Sequence, residues 1–190
     1  ESAADDAQLY YRTDHHWTSQ GAYLAYEQYC AAQGRNPGEY ALERVSDSFY
    51  GTLYSSVLDS TAEPDAIYAP MELSGATITY EDGTLSETPY APDKLKQKDQ
   101  YTYFFGGNHG TVSIQTQAQN AGKLLVIKDS FANSLVPYLF GDYSEIIMLD
   151  LRYFGGSVEE VIAQNGITQI LFLYETSNLL TDTGILRLQK

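Results

Sequence analysis

Two short segments of this 190-residue chain hold residue types suited to nucleophilic catalysis. Thr13-Asp14-His15-His16-Trp17 contains two of the three histidines and the only tryptophan. Lys128-Asp129-Ser130-Phe131-Ala132-Asn133 places a serine where an apolar run gives way to a helical pattern. A serine attacks when a base takes its proton, a carboxylate orients that base, and donors receive the charge that develops on the attacked oxygen. Asp14 and His16 are two residues apart, so in extended chain both project to one side and the carboxylate can set the imidazole tautomer. At Ser130 the backbone N–H groups of a helix start point outward and favour negative charge. Plainer readings stand beside these. Asp129 or Ser130 serves as a helix N-cap, and Asp14-His15-His16 as a structural hydrogen-bond cluster ahead of a helix. Trp17 reads as a packing residue below the site. His109, in Gly106-Gly107-Asn108-His109-Gly110, reads as a turn residue.

Asp14, His15, His16 and His109 are also zinc or manganese ligand types. Adjacent histidines in an extended chain point to opposite faces and seldom share an ion. No Asp-x-Asp or His-x-x-x-His pair supports them. A phosphoesterase family uses an Asp-His-His string with manganese, but it requires further aspartate motifs that this chain lacks. No metal and no cofactor is expected.

The elements that must position these residues are legible in part. Thr18 caps a helix whose apolar positions Ala22, Tyr23, Tyr26, Tyr29 and Cys30 keep the helical period, with Gly34 and Pro37 as stops. Residues 39–119 read as short strands and long loops, including Ala66-Ile67-Tyr68 and Ala76-Thr77-Ile78-Thr79-Tyr80, with a hairpin turn at Glu81-Asp82-Gly83-Thr84. From Gly122 the pattern is regular. Lys123-Leu124-Leu125-Val126-Ile127 is a buried strand, and 131–140 a helix that Pro137 kinks or ends. A strand follows at 144–149, then a helix capped by Ser157 and ended by Gly166, and a strand at 169–174. That alternation predicts crossovers and a parallel sheet. Ligands bind such sheets at the carboxyl ends of the strands. This makes Arg152 and Tyr174, at the next two strand ends, candidate substrate-binding residues.

Composition narrows the partners. Eleven basic against 25 acidic residues give a net charge of −14, which disfavours nucleic acid and anionic membrane surfaces. A 43% hydrophobic share is that of a folded chain, long enough for its own core. Cys30 stands alone, so no internal disulfide forms. No apolar run approaches the ~20 residues of a membrane span, and no stretch reads as a signal peptide, so an export signal is not expected within these residues. A start at Glu1 suggests a processed or trimmed product. The 17 tyrosines suit half-buried surfaces, sugar-binding grooves among them, or act as strand formers in a β-rich segment.

Asp14-His15-His16-Trp17 resembles the motif that names the bacterial DHHW protein family. Phe105-Gly106-Gly107-Asn108, Leu124-Leu125-Val126-Ile127-Lys128-Asp129-Ser130 and Ile147-Met148-Leu149-Asp150-Leu151-Arg152-Tyr153-Phe154 carry the resemblance, in order, over nearly the whole chain. That family is related to the SGNH hydrolase-like domains of alginate O-acetylation proteins, which carry Asp-x-His-Trp upstream of a serine. The resemblance implies a flavodoxin-like α/β fold, an SGNH-type three-layer sandwich with a parallel sheet. The chain then reads as one domain over 1–190, with 39–119 as a β-rich insertion that either roofs the site or forms a structural subdomain. The resemblance also implies a Ser130-His16-Asp14 triad; in that reaction the Ser130 N–H, with Asn108, is expected to stabilise the oxyanion. Family members are longer, with a signal or anchor and an additional strand, so the chain reads as the carboxyl-terminal part of a longer protein. Ser130 follows Lys-Asp where the alginate proteins have a Gly-Thr approach, closer to the Asp-Ser of SGNH nucleophile blocks.

The expected function is a serine-dependent O-acyl (acetyl) esterase or acetyltransferase, working from an acyl donor on an extracellular or cell-wall polysaccharide. Its expected location is extracytoplasmic. The alternative is a non-catalytic glycan-binding or cell-surface scaffold domain that keeps the fold. The charge of −14 fits a neutral, hydroxyl-rich glycan better than an anionic polymer, unless a local patch around Arg152 compensates.

Overall fold

The computed structural model describes residues 8–73, 75–119 and 121–189. The chain divides into two compact units, one of Glu1–Leu73, Tyr90–Gly107 and Ser134–Tyr138, the other of Ser74–Pro89, Asn108–Asn133 and Leu139–Lys190.

The first unit begins with helix α1 (Ser19–Ala32), whose N-cap Thr18 accepts the Gly21 N–H at 3.2 Å, as its sequence predicts. Ala22, Tyr26 and Cys30 form its buried stripe. Gly34 takes a positive φ of 65° just past its end, the left-handed step that a glycine makes at no steric cost. Strand β1 (Leu42–Phe49), short helix α2 (Thr52–Val57) and strand β2 (Asp65–Pro70) follow, and the two strands pair antiparallel with two register shifts.

Tyrosine packs this unit, but not as a strand former. Of the 17, only Tyr68 and Tyr80 lie in strands. Tyr26 and Tyr138 stack at 5.8 Å, and Tyr40 meets Tyr138 edge-on at 5.2 Å. Their hydroxyls reach backbone: Tyr138 donates to the Ser19 carbonyl, Tyr40 donates to the Tyr138 carbonyl, and Tyr26 accepts from the Gly38 N–H. Each ring supplies apolar area while its polar tip stays bonded.

The second unit is built on one six-stranded sheet. Its strands are β3 (Ala76–Tyr80), β4 (Leu85–Ser86), β5 (Thr111–Thr116), β6 (Lys123–Lys128), β7 (Glu145–Leu149) and β8 (Gln169–Leu173), in the order β4-β3-β5-β7-β6-β8. The three strands expected to form a parallel sheet, β6, β7 and β8, do run parallel, but the sheet as a whole is mixed rather than parallel. Only β7-β6 and β6-β8 run parallel, while β3-β4, β3-β5 and β5-β7 are antiparallel. The reason lies in 39–119, whose strands divide. β1 and β2 pair with each other in the first unit, whereas β3, β4 and β5 extend the main sheet. β6 and β7 are buried on both faces, which explains their unbroken apolar runs.

The helix expected over 131–140 is one turn of α-helix, α3 (Ala132–Leu135), followed by a 3₁₀ stretch at Val136–Gly141. Pro137 has no N–H for the longer ladder, so the helix tightens there. Helix α4 (Val158–Asn165) has Ser157 as its cap and Gly166 at φ 63° beyond it. Its Val158, Val161 and Ile162 pack on Leu125, Ile127, Ile147 and Leu149. Helix α5 (Thr176–Thr181) and a 3₁₀ stretch at Thr183–Gln189 complete the unit. Among the described residues no helix is long and apolar enough to cross a membrane.

Candidate functional site

Residues 12–16 are a bent segment, not an extended one. The bend brings Asp14 Oδ1 to 2.5 Å from His16 Nδ1, and the same oxygen accepts the His16 backbone N–H at 3.0 Å. The second carboxylate oxygen accepts the Thr52 backbone N–H at 2.8 Å and its hydroxyl at 3.0 Å. Asp14 and His16 are buried, 3% and 5% exposed. Burial alone would raise the Asp14 pKa. The His16 hydrogen bond and charge, with the Thr52 and His16 backbone N–H groups, outweigh it and hold the carboxyl well below the ordinary carboxylate range. A Cβ at Gly51 would collide with the Asp14 side chain, so this close approach requires glycine there. The His16 ring is stacked on Tyr101 at 3.7 Å and 10°.

The expectation that His15 and His16 face opposite ways fails, because the backbone bends. Their rings lie 3.9 Å apart. Among the described residues Asp14, His15 and His16 have ligand-type atoms within 4.8 Å of one another. Both Asp14 oxygens already accept protein N–H or O–H groups, and the His15 Nδ1 is 2.6 Å from the Thr52 hydroxyl.

Trp17 is more than packing. Its indole Nε1–H donates to Ser134 Oγ at 2.9 Å, and Tyr101 Oη lies 3.1 Å from the same oxygen. Ser134, fully buried, follows Ser130 by four residues.

In the second unit Ser130 stands two residues beyond the end of β6 and is 8% exposed. Its carbonyl accepts the Asn133 N–H at 3.2 Å. Asp129 is not the cap of α3, which begins three residues later at Ala132; its side chain closes a turn instead. One oxygen accepts the Phe131 N–H at 2.9 Å, and the other accepts the Glu175 N–H and Asn178 Nδ2, both at 2.8 Å. This carboxylate shapes the turn that presents Ser130.

Beside it lies a group that sequence reading passed over. Lys128, 1% exposed, donates to Asn133 Oδ1 at 2.7 Å and to Asn108 Oδ1 at 3.2 Å, and faces Asp150 Oδ2 at 3.7 Å. Asn133 Nδ2 donates to Asn108 Oδ1 at 3.1 Å. Burial pulls the Lys128 pKa down to about 8, against the opposing charges of Asp150 and Asp129 and with the like charge of Arg152. Asp150, fully buried, is clasped by the Arg152 fork at 2.8 Å and 2.6 Å. The register explains the cluster: Ile127 pairs Leu149 and Lys128 pairs Leu173, so these residues share the carboxyl end of the parallel strands. Tyr174 is half-buried there, with its hydroxyl on Asp182 Oδ2 at 3.1 Å. Burial first, then the Asp182 charge, raises its pKa.

The structure thus joins Asp14 to His16 within the first unit. Within the second it joins Asn108 and Arg152 through Lys128 and Asp150, while the Tyr174 hydroxyl goes to Asp182. Approaching Asn108, Phe105, Gly106 and Gly107 have φ of 59°, 72° and 117°, three successive left-handed steps. Two of them fall on glycine, as such steps favour. His109 lies against Tyr80, ring centroids 4.7 Å apart.

The DHHW protein family model matches residues 2–149. A DHHW family protein from Eubacterium siraeum superimposes with a TM-score of 0.81 at 28% identity over 97% of this chain and 64% of its own. PatB1 of Bacillus cereus superimposes with a TM-score of 0.72 at 26% identity over 93% of this chain, both alone and with a sulfonyl adduct. The chain covers 65% of the first PatB1 structure and 63% of the second, so it spans less than two thirds of each of these relatives. Sequence similarity to curated proteins reaches significance for none.

Proposed function

Because the chain belongs to the DHHW protein family, we propose that it is a serine acyl-transfer enzyme, an O-acetyl esterase or O-acetyltransferase for an extracellular or cell-wall polysaccharide. The observation that carries this reading is the Asp14–His16 pair. An ionised carboxylate 2.5 Å from Nδ1 fixes the proton on that nitrogen and leaves Nε2 as a base. In the proposed reaction Ser130 Oγ attacks the acyl carbonyl carbon while His16 Nε2 takes the hydroxyl proton. The Ser130 N–H and Asn108 Nδ2 stabilise the oxyanion. Collapse of the tetrahedral intermediate breaks the ester bond, and His16 returns the proton to the departing oxygen. Water or a sugar hydroxyl then attacks the acyl-Ser130 ester, giving up its proton to His16, and Ser130 is regenerated with the acid or the new sugar ester as product. Arg152 and Tyr174, at neighbouring strand ends, are proposed to border the substrate. The extracytoplasmic location follows from the substrate class.

Two observations support this reading. Trp17, in the segment that carries Asp14 and His16, is bonded to Ser134, four residues past the proposed nucleophile. PatB1 has been obtained as a sulfonyl adduct, and sulfonyl electrophiles are captured by activated nucleophiles. The test is exposure of the protein to a sulfonyl fluoride, with peptide mass mapping, alongside turnover of an activated acetyl ester. Ser130 is expected to carry the adduct, and Ser130→Ala to lose both labelling and turnover. Equal turnover by wild type and variant overturns the proposal.

A further inference from the structure

We propose that Lys128 is the positioning residue for the oxyanion donor: its buried ammonium holds the Asn108 carboxamide with the carbonyl oxygen inward and the Nδ2 hydrogens outward. This rests on the reading of Asn108 as an oxyanion donor, and it deepens that reading by saying what fixes the polarity of the amide.

A carboxamide has an accepting end and a donating end of nearly the same shape, so packing alone does not choose between them. An ammonium removes the ambiguity, because it has three donors and no acceptor. Lys128 Nζ lies 3.2 Å from Asn108 Oδ1 and 2.7 Å from Asn133 Oδ1. Turning either amide over would set an NH₂ group against a buried cation, donor against donor. With its oxygen committed to Lys128, Asn133 must direct Nδ2 elsewhere, and it directs it to Asn108 Oδ1 at 3.1 Å. Asn108 Oδ1 therefore accepts twice, from two donors that Lys128 orients. Asn108 itself is exposed, and its Nδ2 hydrogens make no hydrogen bond among the described residues. They are what an acyl oxygen would meet.

The charge is compensated where it sits. Asp150 Oδ2 is 3.7 Å from Nζ, and Arg152 holds both oxygens of that carboxylate. An apolar side chain at 128 would fill the same space at the end of β6 but leave both amides free to turn. The placement also ties two parts of the proposed machinery together. Lys128 and Asn133 flank Ser130 in the chain, and Asn108 precedes β5.

The experiment is a double-mutant cycle with a second readout that does not depend on turnover. Lys128→Met is expected to lower kcat for an activated acetyl ester about 100-fold with KM within about twofold, the scale for loss of one oxyanion donor. Asn108→Ala is expected to match it, and the double variant to be no slower than either single one. Asn133→Ala keeps the cation, so it is expected to cost less than Lys128→Met. In parallel, side-chain amide NMR is expected to show the Asn133 NH₂ protected from solvent exchange and the Asn108 NH₂ unprotected, with that distinction lost in Lys128→Met. Multiplying effects in the cycle, an Asn133→Ala loss as large as that of Lys128→Met, or Asn133 protection unchanged in Lys128→Met each overturn the proposal. Should Lys128→Met not fold, Asn133→Ala decides alone through its kcat and through persistence of the exposed Asn108 NH₂. Absence of Ser130-dependent turnover, with the amide pattern as expected, overturns the acyl-transfer reading and leaves the orienting role of Lys128 intact.

Discussion

His16 Nδ1 lies 2.5 Å from Asp14 Oδ1, and that oxygen also receives the His16 backbone N–H. One carboxylate oxygen thus sets both the position of the residue and the tautomer of its ring. Asp14→Asn offers an amide that can no longer stabilise an imidazolium. Turnover of an acetyl ester is expected to fall roughly 10³- to 10⁴-fold, as for a triad carboxylate replaced by its amide. The structural arm is a denaturation series against pH. The folded pKa of Asp14 is depressed below its ordinary 3.8. Its contribution is therefore fully present above that value and lost as pH falls through and below it, because the unfolded chain binds the proton first. Wild type is expected to lose stability more steeply than Asp14→Asn in that acid range.

Gly51 leaves the space that Asp14 occupies. Gly51→Ala forces a methyl group into a buried, hydrogen-bonded carboxylate. The expected cost is about 1–3 kcal/mol in urea unfolding, with a loss of activity larger than stability alone explains, since Asp14 must shift away from His16.

Ser134 Oγ gathers the Trp17 indole and the Tyr101 hydroxyl, while Tyr101 carries the stacked His16 ring. Ser134→Ala takes that shared oxygen away. About 1–2 kcal/mol of stability is expected to go, and acetyl ester turnover is expected to fall although residue 134 touches no reacting atom. Unchanged kcat would show that the seat of His16 does not depend on this serine.

Lys128 yields a pH prediction in which activity and stability move in opposite directions. Its folded pKa is lowered to about 8 from 10.5 by burial, with Arg152 lowering it further and Asp150 and Asp129 opposing. Activity that needs the charged ammonium is expected to decline above pH 8. Between 8 and 10.5 the unfolded chain holds the proton more readily, so this group makes stability rise across the same interval. Asp150→Asn removes the strongest opposing charge and is expected to move the alkaline limb of the kcat profile to lower pH.

Local signals were readable where they depend on near neighbours. Thr18 and Ser157 mark helix starts by a side chain that reaches the next turn, and both do so in the structure. The apolar runs of β6 and β7 announce burial on two faces. What depended on distant partners was not readable. Nothing local to β3, β4 or β5 says which sheet they join, so the parallel β6, β7 and β8 are legible but the antiparallel strands beside them are not. Thr52, Tyr101 and Ser134 serve the Asp14-His16-Trp17 segment from far along the chain, and no spacing rule links them. Lys128 was hidden by its type, since lysine is rarely buried. The signal was its place directly after the apolar run Leu124–Ile127 and directly before the Asp-Ser turn.

The strand order β5-β7-β6 also bears on how the molecule is made. β7 lies between two strands that precede it in the chain, so a nascent chain carries β5 and β6 with facing edges unfilled until Glu145–Leu149 emerges. Such pairings are formed late, and their open edges are the part of a folding chain most prone to stick to another. Asn108 precedes β5 and Lys128 ends β6, so their hydrogen bond bridges the two strands that β7 separates.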